Sequence, residues 1–357
     1  MQQQIIRCTR IEKDLAQLMQ TLSYDGLFLL TDANTRNYCL PIIQSLPEIR
    51  EAKKFSIPAG DENKNIESLS EVWKFFSDSG ANRKSLLINL GGGMLTDLGG
   101  FAAATFKRGI RFVNIPTTLL GAVDAAVGGK TGINFYGLKN EVGAFAPAVA
   151  VLIDSNFFKT LNRIQLLSGY AEMLKHSLLC RDVSCRVSAL DNLLNFNFDD
   201  VNYELLNNLL FDSVLIKERI VEEDPTEQGI RKALNLGHTF GHAFESLALE
   251  NKQPVQHGYA VAWGLVCELY LSFIQSGFDK NSLMKIARFI KEHYGVFAFD
   301  CSYYRRIYEL MQHDKKNETG IINFTLLKAI GDIQINQTAD KEIIEEVLDF
   351  YREFFGC

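Results

Sequence analysis

Short β-rich runs recur through the first 155 residues, at Gly26 to Leu30, Lys54 to Ile57, Ser85 to Leu90, Ile110 to Ile115 and Val149 to Ile153, with helical patterns between them. Such alternation predicts a mainly parallel sheet covered by helices. Beyond Asp154 the apolar residues recur with a helical period instead, around residues 163 to 180, 203 to 222, 235 to 250, 257 to 276 and 281 to 294. The expected architecture is an α/β N-terminal domain over residues 1–158, followed by a mainly α-helical C-terminal domain over 159–357. One late run, Ile321 to Lys328, reads as strand or hairpin, with Gly320 and Gly331 punctuating its ends.

Parallel sheets of this kind bind ligands at the carboxyl ends of their strands. There the run Ser85 to Leu90 passes directly into Gly91-Gly92-Gly93-Met-Leu-Thr-Asp97-Leu-Gly99-Gly100. A strand, a glycine turn and a helix start let backbone amides approach a phosphate, with the helix dipole aiding. The match to a dinucleotide fingerprint is incomplete, because Gly-x-Gly-x-x-Gly needs glycine where Thr96 stands. A second segment, Val127-Gly-Gly-Lys130-Thr-Gly132, contains Gly-Lys-Thr, but a P-loop would place glycine at position 124, which is Asp124. What remains is a flexible backbone presenting Lys130, followed by Lys139 and Asn140 and preceded by Lys107, Arg108 and Arg111. Cations flanked by glycines suggest an anion site.

Three of the six histidines, His238, His242 and His257, fall within twenty residues. Neutral imidazole is the commonest protein metal ligand, and two histidines four apart share one helix face. A metal site is therefore expected, but a zinc protease is not: the His-Glu-x-x-His motif needs glutamate after the first histidine, and this chain has Thr239.

Composition narrows the rest. A formal net charge of −6 argues against a general nucleic-acid binder, which would carry a basic face, yet leaves room for small anionic substrates. Seven cysteines without a Cys-x-x-Cys pair read as reduced thiols of a cytoplasmic protein. The N-terminus has no apolar core for a secretory signal. The longest apolar stretch, Tyr259 to Ile274, contains Glu268 and is shorter than a membrane span.

Taken together, these segments closely resemble 3-dehydroquinate synthase of the sugar-phosphate cyclase family. The resemblance is carried by Gly91 to Phe101, Arg108-Gly-Ile-Arg111, Pro116-Thr-Thr-Leu-Leu120, Val123-Asp124, Val127 to Asn134 and Leu138-Lys-Asn140. Further on it rests on Gly169 to Lys175, Lys217, Glu227, Arg231, Asn235 to His242, His257-Gly and Asp314-Lys-Lys316. The resemblance implies that the N-terminal domain binds NAD through Asp32, Asp61, Lys64, Gly92, Gly93, Asp97, Thr117, Thr118, Lys130, Lys139 and Thr160. It implies one divalent metal, zinc with cobalt suiting the same ligand set, held by Glu172, His238 and His257. His242 would then face the substrate. The remaining implied site residues are Asp124, Lys130, Asn140, Lys175, Lys217, Glu227, Arg231, Asn235 and one of Lys315 and Lys316, with Lys315 the preferred member. Arg108 would reach into a neighbouring subunit's site, so a homodimer is implied, with no nucleic acid or membrane among the partners.

The implied reaction converts 3-deoxy-D-arabino-heptulosonate 7-phosphate to 3-dehydroquinate and phosphate, a step of the shikimate pathway toward the aromatic amino acids. Transient oxidation by NAD acidifies a proton, phosphate leaves by β-elimination, and re-reduction is followed by ring opening and intramolecular aldol closure. This chain departs from the family's usual pattern at Asp61, where glutamate is common, at Pro225 within an acidic segment, and at Tyr259 after His-Gly. Three other readings compete: a related sugar-phosphate cyclase acting on a substrate without a carboxylate, a metal-dependent, NAD-linked polyol dehydrogenase, and, a distant third, a non-enzymatic zinc-stabilised interaction protein, which leaves the glycine loops unexplained.

Overall fold

In a computed structural model, the chain forms two compact units, Met1–Asn162 with Val201–Val214 and Arg163–Asp200 with Leu215–Cys357. The structure describes residues 3–136, 138–182, 186–312 and 321–357, the side chains of 186–188 excepted. The long helix Tyr203–Glu223 is divided between the units at residue 214.

The first unit is built on a six-stranded, wholly parallel sheet. Its strands are β1 (Gln4–Arg7), β2 (Leu27–Asp32), β3 (Lys53–Ile57), β4 (Leu86–Gly91), β5 (Arg111–Pro116) and β8 (Ala150–Ile153), in the spatial order β1-β8-β5-β4-β2-β3. Strands β2, β4 and β8 are buried along their whole length. That double-sided burial is why they read as continuous apolar runs rather than as alternating ones. From β2 the chain goes outward to β3 and then returns to β4 on the other side of β2. The sheet therefore has a topological switch between β2 and β4, and the crevice beyond their carboxyl ends is where open α/β sheets hold ligands.

Two features of this unit differ from the sequence reading. Strand β1 was not expected: it is four residues long, only partly buried, and pairs at the sheet edge with β8 alone. The Lys130 segment is not a flexible loop. It begins strand β6 (Lys130–Phe135), which forms an antiparallel ladder with β7 (Leu138–Phe145). Gly132 and Gly143 face each other across that ladder, and a Cβ on Gly143 would lie 2.2 Å from the Thr131 carbonyl oxygen. Gly132, read from the sequence as part of an anion-binding loop, thus serves strand approach together with Gly143. Lys130 itself stays exposed at the start of β6.

The second unit is mainly helical, as expected. Its axis is the helix His257–Ser276, which packs against the helices Arg163–Leu178, His238–Glu250, Lys280–Tyr294 and Lys341–Phe355 and against strand β9 (Phe324–Ala329). Contact on so many sides makes it apolar all round, with only a weak polar face. Strand β9 pairs with β10 (Asp332–Gln337) as a hairpin, in agreement with the late β-rich run. A Cβ on Gly258 would fall 1.8 Å from the Ser168 carbonyl oxygen, so only glycine lets the first turn of the His257 helix lie directly on the helix bearing Glu172. Among the described residues, no helix is long and apolar enough to cross a membrane.

Candidate functional site

The second unit brings Glu172, His238, His242 and His257 together from three helices. Gly237, in left-handed backbone at φ 81°, turns the chain into the helix that opens with His238, and His242 follows one turn later on the same face. Their rings are 5.2 Å apart between centroids. His257 is the first residue of its own helix, and its ring lies 5.4 Å from His238 and 5.8 Å from His242. One ligand atom from each of the three histidines can be chosen so that all lie within 4.8 Å of one another.

Glu172, from the middle of the Arg163–Leu178 helix, is fully buried and divides its two oxygens. Oε2 pairs with the ammonium of Lys175, one turn along, which is itself only 2% exposed. Oε1 lies 3.5 Å from His238 Nε2 and 3.7 Å from His257 Nε2. A tetrahedral zinc site with bonds of about 2.0–2.1 Å has donor-to-donor edges of about 3.4 Å, so both distances from Glu172 Oε1 are close to such an edge.

Tautomers support the same geometry. His238 Nδ1 is 3.2 Å from the Leu236 carbonyl oxygen, and His257 Nδ1 is 3.1 Å from Glu245 Oε2. Each Nδ1 thus donates its hydrogen to an acceptor, which leaves the Nε2 lone pair for a metal. In the metal-free site burial disfavours a charged His257 ring, but the carboxylates of Glu172 and Glu245 outweigh it and lift the pKa to about 10. A bound cation would take the place of that proton. The residues present therefore fit one divalent ion.

The second unit also holds further expected residues. Lys217 and Arg231 are 4% and 2% exposed, and buried cations of this kind suit an anionic ligand. Arg231 sits in a tight turn organised by Asp224, whose carboxylate accepts from the backbone N–H of Gln228, Gly229 and Arg231 at 3.0, 2.7 and 3.1 Å. The Arg231 guanidinium donates to the carbonyl of Pro225 at 2.7 Å, so the proline that departs from the family pattern still serves the turn. Glu227, held at φ 62°, accepts from Asn235 Nδ2 at 3.3 Å. Lys315 and Lys316 lie outside the described residues.

In the first unit, Asp32 follows β2, Gly92 and Gly93 follow β4, and Thr117 and Thr118 follow β5, so all five stand at the carboxyl edge of the sheet. Gly93 opens the helix Gly93–Thr105, and Gly92 is its N-cap without a side chain. Asp32 has a role the sequence reading did not anticipate: its Oδ1 accepts from Asn34 N and Thr35 N at 2.8 and 2.9 Å, capping the next helix. Lys64, 4% exposed, bridges Asp97 and Asn140, with both oxygens 2.5 Å from its Nζ. Asp61 Oδ2 receives a longer bond from Asn134 Nδ2, at 3.3 Å, while the backbone N–H of Asn140 is 3.0 Å from Asn134 Oδ1. Asp124 lies in a single π-helical turn, Gly121–Ala125. Lys139, Thr160 and Arg108 are exposed, and Arg108 is held in left-handed backbone at φ 67°.

Residue types alone did not single out Glu245, Asp224 or Glu268. Glu268 was legible as an oddity, one acid in an apolar helix. A buried carboxylate is too costly to stand there without donors, and that is the signal that would have found it.

Comparison with known proteins agrees with this geometry. The family model of the 3-dehydroquinate synthase N-terminal region matches residues 54–168, and that of the C-terminal region matches 169–317. A 3-dehydroquinate synthase of Parabacteroides distasonis is 54% identical over 99% of both chains, and one of Pyrococcus furiosus is 36% identical, with 93% of this chain and 94% of that protein covered. Among solved structures, a 2-epi-5-epi-valiolone synthase of Streptomyces hygroscopicus with NAD+ and Zn2+ bound superposes with a TM-score of 0.81 at 24% identity, covering 99% of this chain and 97% of that one. An iron-containing alcohol dehydrogenase of Thermotoga maritima gives 0.69 at 15%, with 100% and 99% covered. At those identities the two structures speak for the fold alone, whereas the matched sequence models and the 54% identical relative place this chain in the 3-dehydroquinate synthase family.

Proposed function

We propose that the protein converts 3-deoxy-D-arabino-heptulosonate 7-phosphate to 3-dehydroquinate and phosphate, with NAD used catalytically and one divalent ion, zinc or cobalt, held by Glu172, His238 and His257. The observation that carries the reading is the Glu172 carboxylate placed 3.5 and 3.7 Å from two Nε2 atoms, in a chain 54% identical to a 3-dehydroquinate synthase. When bound, the ion lowers the pKa of the substrate hydroxyl it meets and polarises the carbonyl formed there, and the nicotinamide takes up and returns a hydride.

The chain's own residues bind and orient. Lys175, Lys217 and Arg231 are buried cations suited to the substrate carboxylate, and the Asp224 turn presets Arg231 so that little entropy is lost on binding. Asn235, steadied by Glu227, and His242 are assigned to the phosphate, together with Lys315. In the first unit, Lys130 and Asn140 are assigned to phosphate binding and Asp124 to the substrate. NAD is assigned to Asp32, Asp61, Lys64, Gly92, Gly93, Asp97, Thr117, Thr118, Lys130, Lys139 and Thr160. The helix N-terminus after Gly92 offers its first amides to the pyrophosphate. Arg108 is assigned to the site of a second subunit in a cytoplasmic homodimer.

With substrate, zinc and a trace of NAD, the purified protein is expected to release phosphate far beyond the NAD present, with no matching accumulation of NADH. Stoichiometric NADH would favour the polyol dehydrogenase reading, and phosphate release only from a phosphorylated ketose without a carboxylate would favour another cyclase. A second experiment tests the division of the histidines. His257→Ala is expected to weaken zinc binding by about a hundredfold or more, whereas His242→Ala keeps the metal within a few-fold and loses turnover. Equal loss of zinc in both variants would show that His242 is a ligand.

A further inference from the structure

We infer that Glu245 is the positioning residue of the metal ligand His257, fixing which of its ring nitrogens faces the ion. The inference rests on the reading of Glu172, His238 and His257 as the metal set.

The two histidine ligands have different surroundings. His238 is steadied by its own local chain, through the Leu236 carbonyl two residues earlier. His257 has no equivalent support. Both histidines open their helices, but the carbonyl preceding His257, Gln256 O, already accepts from Tyr259 N and Ala260 N at 3.0 and 3.3 Å. The acceptor for its Nδ1 comes instead from another helix, the Oε2 of Glu245 at 3.1 Å.

A neutral imidazole carries one hydrogen. Given to Glu245 from Nδ1, it leaves Nε2 as a pure donor of electrons, and Nε2 is the atom 3.7 Å from Glu172 Oε1. Placed on Nε2, the same hydrogen would point into the ligand set and no lone pair would face the ion. A ring that is partly exposed, at 28% of its side chain, would otherwise be free to populate both arrangements. Glu245 removes that choice, and a carboxylate acceptor also strengthens donation from Nε2. The helix His238–Glu250 thus supplies one ligand directly and orients the ring of another, which couples the two helices at the metal.

The test measures zinc affinity by chelator competition, the visible spectrum of the cobalt-loaded protein, and the thermal midpoint of the metal-free protein, for wild type, Glu245→Ala, Glu245→Gln and His257→Ala. Glu245→Ala is expected to weaken zinc by 10- to 100-fold and to alter the cobalt bands, with the metal-free midpoint nearly unchanged. Glu245→Gln keeps an oxygen acceptor without the charge, so it should recover part of the affinity, and it carries the test if the alanine variant does not fold. Wild-type affinity and an unchanged cobalt spectrum in both Glu245 variants, with His257→Ala impaired, would overturn this inference alone. Wild-type affinity in His257→Ala would overturn the metal assignment and this inference with it.

Discussion

Glu172→Gln is expected to abolish tight metal binding and turnover together and to lower the stability of the fold. The two losses have separate causes. In the proposed metal site Oε1 is the carboxylate corner of the ligand set, and a neutral amide is a poor substitute for an anionic oxygen beside a divalent ion. Spreading typical zinc binding energies over the ligands gives about 3 kcal/mol each, or roughly a hundredfold in affinity. Oε2 meanwhile holds the ammonium of Lys175 in a site where both side chains are at most 2% exposed. Removing one member of such a pair leaves a buried charge uncompensated, at a cost of about 3–5 kcal/mol. The double variant Glu172→Gln with Lys175→Met separates the two effects, since it deletes the stranded charge and is expected to regain much of the stability while binding zinc no better. Calorimetry of the metal-free proteins and chelator competition read the two quantities independently. A Glu172→Gln protein that lost stability but bound zinc like wild type would reduce Glu172 to the ion-pair partner of Lys175.

That dual use explains why Glu172 was the hardest of the proposed ligands to see in the sequence. A glutamate three residues before a lysine on a helix is an ordinary surface pattern, and only resemblance to a family drew it toward His238 and His257. The histidines announced themselves because two of them share a helix face. The sheet was legible where strands are buried on both sides, as in Leu86–Gly91, and illegible at Gln4–Arg7, where four half-exposed residues pair on one edge. The Lys130 segment reads as flexible in the sequence, where the structure has a strand, because glycine has two uses. A sequence does not distinguish a backbone opened for an anion from one thinned so that two strands can touch, as Gly132 and Gly143 do. Asp32 shows a similar ambiguity, as an acid expected at a ligand that also caps a helix.

Glu268 gives the second large effect, and it reaches the metal without touching it. The helix that begins with the proposed ligand His238 has no capping side chain at its own N-terminus, where Gly237 stands. Its first amides would be orphaned in a dry interior. Glu268, fully buried on the His257–Ser276 helix, supplies the missing acceptors: Oε2 takes Gly237 N at 2.6 Å, and Oε1 takes Thr239 N at 2.9 Å and Phe240 N at 3.4 Å. The negative charge also complements the positive end of the helix dipole, so three backbone donors and the dipole offset the cost of burying a carboxylate. Glu268→Ala strands those amides at about 1–3 kcal/mol each, and a total near 5 kcal/mol is expected to lower the thermal midpoint by roughly 10 °C. Glu268→Gln is not conservative here, because its amide nitrogen would confront a backbone donor, and about half the loss is expected. Since His238 is the first residue of the helix so capped, zinc affinity should fall in both variants in proportion to the lost stability, while variants of equal instability made far from this helix keep the metal. A Glu268→Gln protein as stable as wild type would show that water replaces the carboxylate at no cost, and that the order of the metal site does not begin in the apolar helix behind it.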